Sequence, residues 1–306
     1  MRRFLISTAC LLLLTGFTGT RLARAAGHGP QQAATSAKRA TAAPAGYVGQ
    51  EMCATCHQDV VNNFAGNPHS RLALQHNGHG VTCESCHGPG QAHVEGGGDV
   101  TKIRRFDHLT PGEVNETCLG CHAGVHPNYQ RSPHAKAGLS CLSCHNVHKP
   151  QVAENLLVAS QPQLCFRCHS DVKPNFDMPF HHPVNEGVVK CSDCHDVHGT
   201  FAANNLRATA DQNQICTKCH TDVRGPFVYE HAAVRAEGCM GCHSPHGSQN
   251  ARMLNMPSIN TLCNQCHSRV AAGTVHSMGA GSDELAPCTS CHTYIHGSNI
   301  NAAFLR

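Results

Sequence analysis

The sequence predicts an elongated fold of short α-helices and loops, with little or no β-sheet, built around bound cofactors instead of a side-chain core. Three observations carry this. The chain of 306 residues has 21 Cys and 26 His but no Trp and only 5% aromatic residues, far from the usage of an ordinary globular domain. One five-residue motif, C-x-x-C-H, occurs ten times. The motifs alternate in a longer repeat whose connections are rich in Gly and Pro.

The first 25 residues read as an export signal: Arg2 and Arg3, an apolar run from Phe4 to Leu14, then Ala23-Arg24-Ala25 as a cleavage site. The run is shorter than the roughly 20 residues a bilayer-spanning helix needs, which argues against a membrane anchor. Cys10 lies inside the run, against lipid attachment. Removing residues 1–25 deletes four arginines and no acids, so the remainder has 19 bases against 20 acids, a net charge of −1. Nothing here suggests a nucleic-acid partner. Residues 26–46, rich in Ala, Gly, Thr and Gln, read as a flexible leader, with a short docking arm as the alternative. Residues 47–306 form the remaining domain.

The ten motifs pair Cys53 with Cys56, Cys83 with Cys86, Cys118 with Cys121, Cys141 with Cys144, Cys165 with Cys168, Cys191 with Cys194, Cys216 with Cys219, Cys239 with Cys242, Cys263 with Cys266 and Cys288 with Cys291. The histidines that follow are His57, His87, His122, His145, His169, His195, His220, His243, His267 and His292. Every cysteine after the export signal is used. One helical turn places two thiols where they can add to the two vinyl groups of a haem, and the next residue falls on the iron. Each motif thus predicts one covalent haem c with its proximal ligand, ten in all. A lone C-x-x-C also serves zinc and thiol redox centres. Neither those nor disulfides explain a His after every second Cys.

Alternate motifs expose the repeat. The odd-numbered ones share a tail: His57-Gln-Asp-Val60 then Phe64, His122-Ala-Gly-Val125 then Tyr129, His169-Ser-Asp-Val172 then Phe176, and His220-Thr-Asp-Val223 then Phe227. The fifth, after His267, has Thr274 where the aromatic would be. A further His follows each tail: His69, His134, His181, His231 and, in the fifth, His276. The even-numbered motifs are followed by His93, His148, His198, His246 and His296. Ten spare histidines in register for ten haems predict a second axial imidazole on every iron. His148, His198 and His246 come three residues after a proximal His, too close to reach the far face of the same haem, and should serve a neighbour. His182 competes with His181, and His76 and His79 with His69; the register favours His181 and His69. His126 is matched by Val61, Lys173 and Arg224 and is not expected to ligate. No Met recurs in register, so Met ligation is not expected.

Helix-start signals precede several odd motifs: Thr110-Pro111-x-Glu113, Ser160-x-x-Gln163 and Asp211-x-x-Gln214. The intervals between odd motifs, 65, 47, 51 and 47 residues, define five tandem two-haem units, the first lengthened by an insertion around Gly96 to Pro111. The 281 residues after the signal leave about 28 per haem, too few for a side-chain core around each. The haems themselves should be the core of a solenoid-like array. Tunnelling falls off exponentially with edge-to-edge distance, so such crowding favours conduction, whereas metal catalysis needs an open coordination site. An electron carrier, not an enzyme, is expected; a freely diffusing periplasmic shuttle and a multihaem reductase are the alternatives.

The motif count, Cys53-Ala-Thr-Cys-His57 after Gly46-Tyr-Val-Gly, and His181-His-Pro-Val-Asn-Glu-Gly before Cys191-Ser-Asp-Cys-His195 resemble the periplasmic decahaem cytochromes of metal-reducing and extracellular dimethyl-sulfoxide-reducing bacteria. The likeness covers nearly all of residues 46–298. It implies a periplasmic wire seated in an outer-membrane, porin-like β-barrel. Its partners would be periplasmic donor cytochromes on one side and an outer-surface cytochrome or terminal reductase on the other.

Overall fold

The computed structural model describes residues 45–75, 80–208, 211–267 and 286–306, all within one compact unit, Ala43–Arg306. The export signal, most of the leader, and His76, His79 and His276 lie outside the described residues. The described chain consists of short α- and 3-10 helices joined by loops, and its β-pairing is confined to isolated bridges. No helix among the described residues is long and apolar enough to cross a membrane.

The two longest helices, Gln50–Ala65 and Pro111–His122, carry the first two odd motifs. The second begins as its sequence requires: Thr110 accepts from the Glu113 amide, Glu113 accepts from the Thr110 amide at 2.7 Å, and Pro111 fills the first helical position, where no N–H is needed. The other two start signals act differently. Ser160 hydrogen-bonds the Gln163 side chain and Asp211 accepts from the Asn213 amide, but each helix starts later than the signal implies, at Gln163 and Asn213, and spans four residues. Both helices end within their own motif, at Phe166 and Cys216.

Side chains build very little interior. The buried apolar residues among those described are Phe64, Val114, Tyr129, Leu156, Ala159, Phe176 and Val184, and no large side chain is fully buried. Three of them, Phe64, Tyr129 and Phe176, at 6–7% exposure, are the aromatics of the repeated odd tail. The polar residues that are buried all have hydrogen-bond partners.

Consecutive units clasp one another through the segment around each even spare histidine. Asn67 donates to the Val147 carbonyl, Phe180 bridges Ser248 and Tyr229 bridges Ser298. At His198, His246 and His296 the glycine that follows makes the close approach possible. A Cβ on Gly199 would lie 2.8 Å from Ser132 Cβ, one on Gly247 1.9 Å from the Asn175 carbonyl oxygen, and one on Gly297 2.1 Å from the Phe227 ring. All three have positive φ, a conformation that glycine alone adopts without cost.

Gly247→Ala should therefore displace His246 and cost about 1–3 kcal/mol. Absorption and paramagnetic resonance spectra are expected to lose one low-spin iron centre, whereas Gly112→Ala, where nothing lies within 4 Å, should leave the spectra unchanged.

Candidate haem-binding sites

The described cysteines are half-buried or exposed, and the motifs follow one another in space as they do in sequence. Within a unit the first cysteines of the two motifs lie against each other: Cys53 with Cys83, Cys118 with Cys141, Cys165 with Cys191, Cys216 with Cys239 and Cys263 with Cys288. Between units the second cysteine of the even motif adjoins the next odd motif: Cys86 lies near Cys118 and Cys121, Cys144 near Cys168, Cys194 near Cys216 and Cys219, and Cys242 near Cys266. The row has no interruption.

Asparagine fixes the within-unit junction, a device that the motif search misses. The side chain of Asn115 accepts from the Cys141 amide, that of Asn213 from the Cys239 amide and that of Asn260 from the Cys288 amide, each at 2.9 Å. The other half of each amide donates to a backbone carbonyl, of Leu139, Val234 and Ala286 respectively. In the third unit Gln161 takes the role, accepting from the Ser192 amide. The signal was present in the sequence as Asn three residues before the first odd cysteine in three units.

The histidines come together in facing pairs. Two imidazoles bonded to opposite sides of one metal, with metal–nitrogen bonds of about 2.0–2.1 Å and each ring centre about 1.1 Å behind its nitrogen, have centres about 6.3 Å apart. The observed centre-to-centre distances are 6.3 Å for His57–His93, 5.8 Å for His87–His148 and His69–His122, 6.1 Å for His145–His198, His134–His169 and His231–His267, 6.0 Å for His195–His246, 6.2 Å for His182–His220 and 6.3 Å for His243–His296. Nine proximal histidines thus each face a spare one at the separation a shared iron requires. None of His148, His198 and His246 faces the motif it follows. The tenth proximal residue is His292, and the remaining spare histidine, His276, lies outside the described residues.

At one position the pairing differs from the sequence register. His182, not His181, stands opposite His220. The reason is local: both ring nitrogens of His181 are engaged, Nδ1 with the Met178 carbonyl and Nε2 with Glu186 at 3.2 Å, while Nδ1 of His182 meets the Pro245 carbonyl and leaves Nε2 free. His126 rests on the His198 ring, 3.8 Å between centres.

The Nδ1 contacts orient the rings. A carbonyl can only accept, so Nδ1 must carry the proton and Nε2 the lone pair a metal needs. In this way His145, His195, His243 and His292 donate to the carbonyls of Asn155, Asn204, Arg252 and Ala303, at 2.6–2.9 Å. The first three acceptors sit in left-handed pairs, Asn155-Leu156, Asn204-Asn205 and Arg252-Met253, all with positive φ. Such backbone is uncommon outside glycine and is held where a site needs it. In the first unit the insertion supplies the acceptor instead: His87 donates to the Arg104 carbonyl at 2.8 Å, and Phe106 packs edge-on against the same ring. Of the spare histidines, His93 donates to Asp99 O and His134 to Val197 O, while His69 Nδ1 meets the Asn67 side chain.

Electrostatics favours the neutral form at five of the spare rings. Burial, reinforced by the facing histidine, holds His69, His148, His246 and His296 below the ordinary imidazole range. His198 is pushed down to about 4 by burial, with His126 and His145 beside it. A proton would compete with the metal for Nε2, so this depression favours ligation.

Cysteine pairs in C-x-x-C-H spacing, with a second imidazole facing the motif histidine at nine of the ten, define a multihaem c-type cytochrome. A family model described as a doubled CXXCH motif matches residues 133–174, 181–225 and 231–272, and one described as cytochrome c554 and c-prime matches residues 14–88. The doubled-motif matches pair an even motif with the next odd one, so they share the period of the five units but start half a unit later. The chain is 31% identical over 268 residues to the multihaem cytochrome MtrA of Shewanella baltica, covering 82% of this chain and 79% of that protein. It is 31% identical over 102 residues to the cytochrome c-type protein NrfB of Escherichia coli (32% of this chain, 53% of that one), and 26% identical over 211 residues to the C-type polyheme cytochrome OmcC of Geobacter sulfurreducens (57% and 26%). The chain belongs to the MtrA family of multihaem cytochromes, electron-transfer proteins that bind haem c through their C-x-x-C-H motifs.

Two outcomes are expected from substitution here. His182→Ala should convert one iron from low to high spin, seen by paramagnetic resonance, while His181→Ala should leave every centre low-spin; the reverse pattern would restore the sequence register. Asn213→Ala removes two hydrogen bonds at a half-buried junction and should destabilise the protein by about 1–3 kcal/mol, measured as a lower denaturant midpoint.

Proposed function

We propose that the chain carries ten haem c groups, each closed by two histidines, and serves as the periplasmic wire of an outer-membrane electron conduit. The observation that carries this reading is the set of nine facing imidazole pairs strung along an unbroken row of adjoining motifs. Each haem, when bound, supplies a one-electron ferric/ferrous couple. The cysteines would anchor it, the proximal and spare histidines would ligate its iron, and the backbone carbonyls at Nδ1 hold those rings in place. With both positions taken, no site remains for a substrate to bind iron, which favours carriage over catalysis.

The tenth pair follows by elimination. Middle units give one spare histidine forward and one back. In the first unit His93 turns back to His57, and by the same internal pairing the remaining spare histidine, His276, is assigned to His292. The segment read as an export signal, residues 1–25, supports a place outside the cytoplasm. A polar chain reaches across an outer membrane only within a protein that supplies the lipid-facing surface, which is the role assigned to a porin-like β-barrel. Its exchange partners would be periplasmic donor cytochromes and an outer-surface cytochrome or terminal reductase.

Mass spectrometry of the exported protein should find ten haem additions on a chain cleaved near Ala25. Affinity purification from outer membranes should bring down a β-barrel protein; recovery solely as a free periplasmic monomer would refute the conduit and leave a diffusing shuttle.

A further inference from the structure

One buried charge is not accounted for by haem attachment. Glu84 lies between the two cysteines of the second motif, Cys83 and Cys86, and is 4% exposed. Burying a carboxylate is costly unless hydrogen bonds replace its water. Here three backbone amides do so: Val48 and Gly90 donate to Oε1 at 2.9 and 2.8 Å, and Gly49 donates to Oε2 at 3.0 Å. The segment that Glu84 holds begins the helix carrying Cys53, whose thiol approaches the Gly49 carbonyl at 3.5 Å. The carboxylate is therefore built into the junction between the first and second motifs. It is close enough to Cys53 to help, after burial and Cys83, in raising that thiol to about 11. The matching residues of the other even motifs are Leu142, Ser192, Met240 and Thr289, none charged.

We propose that Glu84 is a redox-tuning residue: its buried carboxylate stabilises the ferric form of the haem bound at Cys53, Cys56 and His57, and so lowers that haem's potential relative to an uncharged junction. The reasoning is electrostatic. Oxidising a haem adds one positive charge, and a fixed negative charge in a low-dielectric setting favours that state. A countercharge exists but is placed differently. Arg104, exposed, donates to the Cys86 carbonyl at 2.9 Å, where water and salt screen it. The junction thus sets a buried anion against an exposed, screened cation. This inference rests on the reading that a haem is held between His57 and His93.

The test is a spectroelectrochemical titration of the intact exported protein and of Glu84→Gln, after haem count by mass and spin state by paramagnetic resonance. With ten low-spin haems in both, Glu84→Gln should raise the ferrous-to-ferric ratio of one low-potential component about tenfold at fixed applied potential, equivalent to about 59 mV for one electron. The shift should persist at high salt, whereas any shift from Arg104→Gln should fade. Superimposable titrations with a full haem complement would overturn the proposal while leaving haem ligation untouched. Missing haem or a high-spin centre in the unsubstituted protein would instead overturn the ligation reading. Glu84→Asp separates charge from packing: a titration like that of the unsubstituted protein supports the charge, and a shift equal to that of Glu84→Gln overturns it.

Discussion

The distance between two facing imidazoles governs this protein. A separation near 6 Å, with Nε2 free on both rings, has to be reached again and again by a chain that has hardly any side-chain core to fix its shape. The structure meets the requirement by taking the two rings of a pair from different units. Eight of the nine observed pairs cross a unit boundary, the exception being His57–His93. Cofactor ligation and tertiary assembly are then the same set of contacts. Much of what looks unusual in the backbone follows from this: glycine after three of the spare histidines, left-handed pairs beside three of the proximal ones, and asparagines that clamp three of the junctions.

The same economy couples neighbouring sites. His134 and His182 donate to the carbonyls of Val197 and Pro245, the residues directly before His198 and His246. Val147, before His148, is reached from His69 through Asn67. A spare ring directed at one motif is thus oriented by the backbone that positions the spare ring of another. A change at either one is felt at both, because the groups share a rigid backbone segment and have no independent means of support.

Much of this was legible in the sequence. Cysteine spacing fixes the attachment points because thioether chemistry tolerates a single local geometry, and the repeat located the spare histidines and the buried aromatics Phe64, Tyr129 and Phe176. What escaped depends on neighbours that are distant in sequence. The choice between His181 and His182 turns on Glu186 and on the Pro245 carbonyl, neither of which a register argument can see. The helix starts at Ser160 and Asp211 were misplaced because short segments between cofactor anchors are shaped by those anchors more than by caps. The asparagine clamps recur in three units but have no meaning until the facing cysteine amide is known. The insertion around Gly96 to Pro111, visible only as extra length, proves to supply the carbonyl that later units obtain from a left-handed turn.

Because each interior unit donates as many rings as it receives, one more such unit could be copied into the middle of the chain without leaving any histidine stranded. Only the two ends need special arrangements. A gene for such a protein can lengthen or shorten by whole modules through duplication or loss, and each step changes the number of haem-binding motifs by two.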